Sequence, residues 1–138
     1  MSPAFLYRIA SVLLVLFAAG HTLGFRRVDP RWGLDATIGA LKATQFQVQG
    51  FTRSYWGFYT GFGFFVTVLL LFAGILAWQL GALPKDTLRS LRVVSWALAL
   101  SFVAVTLLSW RYFFIAPLVF SGVIAVCLLM AAWRLGAA

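Results

Sequence analysis

From Tyr55 to Leu80 the chain runs for about 26 residues without a charge, more than the roughly 20 that carry a helix across a bilayer. This run opens on the aromatic and glycine-rich text Y-W-G-F-Y-T-G-F-G-F-F and ends near Trp78, Gln79 and Gly81. Three more stretches have the same character, at about 4–25, 91–110 and 113–133. None shows the inside/outside alternation of a barrel strand. In hydrocarbon, backbone groups must be satisfied within the segment, so the pattern predicts helices and excludes a β-barrel. The connector G-A-L-P-K-D-T-L-R-S-L-R is short and carries a helix start at Asp86 or Thr87, which turns the following helix back antiparallel. The expectation is an all-α fold, an integral membrane antiparallel four-helix bundle forming a single transmembrane domain over residues 1–138.

The polar positions gather in the first connector. Residues 26–54 hold Arg26, Arg27, Arg31, Lys42 and Arg53. Asp29-Pro30 reads as a helix cap followed by a proline in the first turn. Leu34, Ile38, Leu41 and Phe46 recur at near-helical spacing opposite Lys42, Gln45 and Gln49. The pattern predicts a short amphipathic helix within about 30–50, lying on the membrane surface or folding over the bundle as a lid. The first apolar stretch imitates a secretory signal, with Arg8, then I-A-S-V-L-L-V-L-F, then Ala18, Ala19 and Gly20. It is read as a retained span whose Arg8 snorkels to the interface.

Composition agrees with this pattern. Hydrophobic residues make up 63% of the chain and charged residues 10%, where a soluble domain carries about a quarter charged. The formal net charge of +8 would suggest nucleic acid in a soluble protein. Here the basic residues flank apolar spans and meet anionic lipid headgroups, so membrane lipids are the expected partners and nucleic acid is not. Basic residues divide almost evenly between the two sides. Lys85, Arg89 and Arg92 crowd a short loop beside two spans and favour a layout with both termini cytoplasmic. Cys127 is the only cysteine, lies in the last apolar stretch, and reads as a packing residue.

In an up-down-up-down layout one membrane face collects His21, Arg26, Arg27, Arg53, Ser54, Tyr55, Trp56, Tyr59, Trp110, Arg111 and Tyr112. Two readings compete for this set. Tryptophan, tyrosine and arginine are ordinary at membrane interfaces and need no function. Alternatively His21, Arg53, Tyr55, Trp56, Tyr59, Trp110, Arg111 and Tyr112 line a ligand pocket, arginines holding a negative or polar head and aromatic rings covering an apolar tail.

His21 is the only histidine, about a turn before the end of the first span. It can bond a neighbouring helix, contact a ligand or move a proton, or, least in keeping with its isolation, ligate a metal or haem. The chain has no glutamate, and Asp29, Asp35 and Asp86 all lie in connectors. Paired-carboxylate hydrolysis and a carboxylate proton relay are therefore disfavoured, and neither a cofactor nor a metal is expected. Ser54 and Ser109 are loose candidates for a serine beside His21.

Small residues mark packing faces. Gly57 and Gly61 make a G-x-x-x-G step, and Trp56, Thr60, Gly63, Thr67 and Gly74 follow another stripe of the same helix. Ser95, Ala99, Phe102, Thr106 and Ser109 supply a complementary face in the third span, and Ser121, Gly122 and Ala125 in the fourth.

G-H-T-L-G closing the first span, Q-G-F-T-R-S-Y-W-G-F-Y-T-G-F-G-F-F opening the second and S-W-R-Y-F-F-I-A-P ahead of the fourth resemble an uncharacterised family of small bacterial four-helix integral membrane proteins, DoxX-like in layout. The resemblance implies a fold and a bacterial inner membrane, and no activity. Its recurring polar positions correspond to His21, Arg53, Ser54, Tyr55, Trp56, Arg111 and Tyr112. The leading expectation is a membrane protein that binds a lipid-like or other amphiphilic small molecule. A second is an enzyme on a lipid-soluble substrate, an isomerase or quinone-linked reductase, with His21 as acid/base and Tyr55 or Tyr59 as proton donor. A third is an accessory subunit, packing as a homo-oligomer or against another membrane protein.

Overall fold

Runs of apolar residues without an internal breaker leave the backbone only its own amides to bond, and four of them wind into long helices in the computed structural model, which describes residues 1–136. These are α1, Pro3–Gly24, then α3, Tyr55–Ala82, α5, Arg92–Tyr112, and α6, Ile115–Gly136. All four are long and apolar enough to cross a membrane. Two short helices, α2 (Asp35–Ala43) and α4 (Lys85–Ser90), and a two-stranded hairpin, β1 (Gln45–Val48) with β2 (Phe51–Ser54), complete the elements.

The helix ends have local causes. Asp29 caps a single 3-10 turn, Pro30–Trp32, by accepting the Arg31 amide at 3.0 Å. Gly33 follows in the left-handed region (φ 63°), where a side chain would be strained. Ser54 caps α3 by accepting the Gly57 amide at 3.1 Å. Pro117 falls in the first turn of α6, where its missing amide has no partner to lose. Arg111 and Tyr112 end α5, beyond the expected limit of 110, and the tight turn before α6 is made by Phe113 and Phe114.

The first connector departs from the expected pattern. Its helix stops at Ala43, and residues 45–54, expected in part to continue it, form the hairpin. Gln49 (φ 51°) and Gly50 (φ 83°) are both left-handed and form the two-residue turn that matches the twist of an antiparallel ribbon. Phe46 therefore leaves the helical series of Leu34, Ile38 and Leu41. Alternation at period two replaces the helical repeat, placing Phe46 opposite Arg53 and Val48 opposite Phe51.

The chain divides into two compact units, with the boundary inside α1 and α3. One comprises Met1–Phe17 and the chain from Leu70 onward; the other is Ala18–Leu69. In the first, Leu6, Tyr7, Ala10 and Leu14 form the buried stripe of α1, spaced as one helix face requires. They meet a row of small residues on α3, where Ala73, Gly74, Ala77 and Gly81 are buried. A Cβ at Gly81 would stand 2.9 Å from the Ala4 carbonyl oxygen, so only glycine admits this approach. Ser11 reinforces the contact by donating to the Gly74 carbonyl at 2.7 Å. Helices α5 and α6 pack together, and the small-residue faces read from sequence are buried at Ser95, Ala99 and Phe102 on one and at Ser121 and Ala125 on the other.

Candidate functional site

In the unit Ala18–Leu69, the last turn of α1 lies against the first half of α3 through polar contacts set in apolar surroundings. His21 Nε2 is 3.0 Å from the Gly63 carbonyl oxygen. A carbonyl only accepts, so Nε2 carries the proton and donates. One turn deeper along α3, Thr22 and Thr67 hydroxyls meet at 2.9 Å. Each hydroxyl also reaches a carbonyl of its own helix, Thr22 that of Ala18 at 2.7 Å and Thr67 that of Gly63 at 3.2 Å, so either can be the donor between them. Four residues on from His21, Phe25 stacks on the imidazole with ring centroids 5.1 Å apart. The Tyr59 hydroxyl donates to the Phe25 carbonyl at 2.8 Å, just past the end of α1, where backbone acceptors lack helical partners. Trp56 packs on Tyr59 at 5.3 Å, and the Lys42 ammonium lies 4.8 Å from the Trp56 ring centre.

His21, Trp56 and Tyr59 are thus joined through Phe25, a residue the sequence marked only as the end of a span. The i, i+4 relation of His21 to Phe25 was the available signal. Thr22 and Thr67 form a second polar link between the helices. The Thr60 hydroxyl is buried without a hydrogen-bond partner. Tyr55 turns instead to the hairpin, against Phe46 at 5.1 Å.

Arg53 takes a different side of α3. It shares an open depression of about 240 Å³ with Gly57, Phe58, Gly61, Phe62 and Phe65. At 3.6 residues per turn these positions fall on the face of α3 opposite Gly63, the residue that meets His21. A Cβ at Gly61 would touch nothing within 4 Å, and one at Gly57 would meet only the Ser54 hydroxyl at 3.4 Å. The two glycines form the floor of the depression and the phenylalanines its walls. Arg53 donates to the Thr52 carbonyl at 2.8 Å and lies 4.9 Å from the Phe51 ring centre, with no carboxylate beside it among the described residues.

No protein-family model, curated protein or solved structure matches the chain.

The remaining expected site residues, Trp110, Arg111 and Tyr112, belong to the other unit, in the last turn of α5. Trp110 is 73% exposed, and Arg111 lies over the Tyr112 ring at 5.3 Å. Of the other candidates, Ser54 serves as a helix cap and Ser109 accepts the Phe113 amide through its carbonyl. Tyr7 in this unit is 0% exposed, and its hydroxyl has no hydrogen-bond partner.

The ion pairs among the described residues lie in connectors. Arg31 and Asp29 meet at 2.6 Å, and Arg89 and Asp86 at 3.8 Å. Hydrogen bonds from Arg31 hold the Asp29 carboxyl below its ordinary pKa, and Asp29 in turn raises that of Arg31. Arg26 follows another pattern, lying over the Phe25 and Phe64 rings at 5.7 and 5.3 Å. Phosphates and carboxylates of a ligand or lipid are the natural counter-charge for arginines held in this way.

Proposed function

We propose that this chain is an integral membrane protein, an antiparallel four-helix bundle of a bacterial inner membrane with both termini cytoplasmic, that binds a lipid-like amphiphile at one membrane face. The carrying observation is the depression on α3, with an unpaired arginine at its head, a glycine floor and phenylalanine walls. Such a surface matches an acyl chain with an anionic or polar head. Helix length supports the placement. At 28 residues α3 extends about 42 Å against a hydrocarbon core of roughly 30 Å, so its first turns and Arg53 reach headgroup level. The resemblance to DoxX-like four-helix proteins fits the same layout.

Catalysis by His21 has less support. Its Nε2 proton is given to Gly63, its ring is covered by Phe25, and the Tyr59 hydroxyl is committed to the Phe25 carbonyl. A second reading is favoured by the open Gly57 and Gly61, which admit the close approach of a helix from a second copy or another membrane protein.

Native mass spectrometry of the protein extracted in mild detergent tests the first reading. One amphiphile should be retained in stoichiometric amount, and lost in Arg53→Ala and in Gly61→Leu, which places a side chain in the groove from a position where a Cβ meets nothing within 4 Å. Retention of mixed bulk lipid, unchanged by either substitution, would sink it. Efficient disulfide cross-linking of Gly57→Cys in a Cys127→Ser background would instead support helix association.

A further inference from the structure

The hairpin has two unlike faces. Its register places Phe46, Val48, Phe51 and Arg53 on one side and Gln45, Gln47, Thr52 and Ser54 on the other. At the base, Phe46 is anchored: it stacks on Phe58 at 5.6 Å and lies against Tyr55 at 5.1 Å. At the tip, Val48 is 41% exposed and Phe51 59%, side by side next to the Gln49-Gly50 turn. A two-stranded ribbon is at best marginal alone in water, and an exposed apolar pair at its tip adds to that cost.

Two observations identify what covers this face. The first is continuity: Phe58, on which Phe46 stacks, leads along α3 to the exposed Phe62 and Phe65. The apolar side of the hairpin therefore extends the outer stripe of a helix long and apolar enough to cross a membrane, and one medium covers both. The second is charge. Residues 26–54 hold five basic side chains and two acidic ones, and one of those, Asp29, is occupied by Arg31. Arg26, Lys42 and Arg53 are held against aromatic rings with no carboxylate opposite among the described residues. Cations fixed beside exposed apolar groups complement the phosphates of an anionic lipid surface, with the apolar groups entering the acyl boundary.

We propose that the hairpin is a membrane-interface anchor. Val48 and Phe51 enter a bilayer containing anionic phospholipid, Arg53 binds headgroup phosphate at the same depth, and the glutamine and threonine face looks to water. This rests on the reading of the chain as an integral membrane protein; it shares Arg53 with the depression on α3, whereas Val48 and Phe51 lie outside that depression.

Nitroxide labels on the full-length protein in lipid nanodiscs test it, with Val48→Cys, Phe51→Cys, Gln47→Cys and Thr52→Cys each in a Cys127→Ser background. Collision with oxygen reports lipid, and collision with a water-soluble nickel chelate reports water. The oxygen-to-nickel ratio should be several-fold higher at 48 and 51 than at 47 and 52. The difference should shrink when phosphatidylglycerol is replaced by phosphatidylcholine. Phe65→Cys on α3 is the internal reference, since Phe65 is 66% exposed on the proposed lipid-facing stripe.

Equal nickel access at all four hairpin positions, with lipid access retained at 65, would overturn the anchor while leaving the membrane reading intact. Labels immobilised and shielded from both reagents would overturn it in favour of a covering protein. A ratio indifferent to lipid charge would remove the role of Arg53. None of these results bears on whether an amphiphile is retained in the mass spectrum.

Discussion

His21 Nε2 donates to the carbonyl oxygen of Gly63 across 3.0 Å, fixing the ring by a group that cannot donate in return. The Nε2-protonated form should therefore dominate. Because the chain has one histidine, its ring-nitrogen signals in a nitrogen-15 spectrum are unambiguous, and a dominant Nδ1–H tautomer would contradict the contact. His21→Ala should cost about 0.6–1.7 kcal/mol in a membrane setting. Thermal unfolding in detergent checks that cost. At the other end of the bond, Gly63→Ala drives a Cβ into the Phe25 ring and should unseat the Phe25 stack on His21.

Glycines on α3 should respond in opposite ways to the same substitution. Gly81 faces the Ala4 carbonyl at a distance that backbone cannot yield, so Gly81→Ala should lower stability by about 1–3 kcal/mol. Gly61 meets nothing, and Gly61→Ala should be neutral or raise stability by up to about 1 kcal/mol through helix propensity. Parallel melting curves decide this. Equal losses at both positions would mean that the Gly61 face is occupied.

Gln49 is the one residue other than glycine among those described that adopts a positive φ (51°). Asn tolerates that conformation better, and Asn-Gly is the favoured text for this turn. Gln49→Asn should slow amide hydrogen exchange across the β1–β2 ladder, and Gln49→Val should accelerate it. Exchange rates indifferent to both changes would count against the turn.

Asp29 should titrate below an ordinary aspartate, because the Arg31 hydrogen bonds favour its charged form. With the folded value depressed, the linked stabilisation is present above the unfolded carboxylate pKa. It is lost as pH falls through the lower folded value. Both groups are solvent-exposed, so the effect on global stability should be slight. Carbon-13 titration of the Asp29 carboxyl should show the depression, and Arg31→Ala should abolish it.

The sequence by itself determined the long helices and some of their ends. Uninterrupted apolar length is a local property that leaves a chain few alternatives to a helix; the Asp29-Pro30 cap is local too, but it closes a single 3-10 turn, and the amphipathic helix starts later, at Asp35. The hairpin was less legible. Leu34, Ile38 and Leu41 set a helical rhythm that Phe46 happened to continue, and the signal against it was four residues of alternation on each side of Gln49-Gly50.

Tertiary structure alone decided which glycines are used for packing. The Gly57-x-x-x-Gly61 step and the stripe of Gly63 and Gly74 both read as packing faces, and it is the second that is used, Gly74 with Gly81 seating α1 and Gly63 receiving His21. The reason is geometric. A small residue permits close approach equally on any side of a helix, and only the position of a partner selects the face on which that permission is taken up.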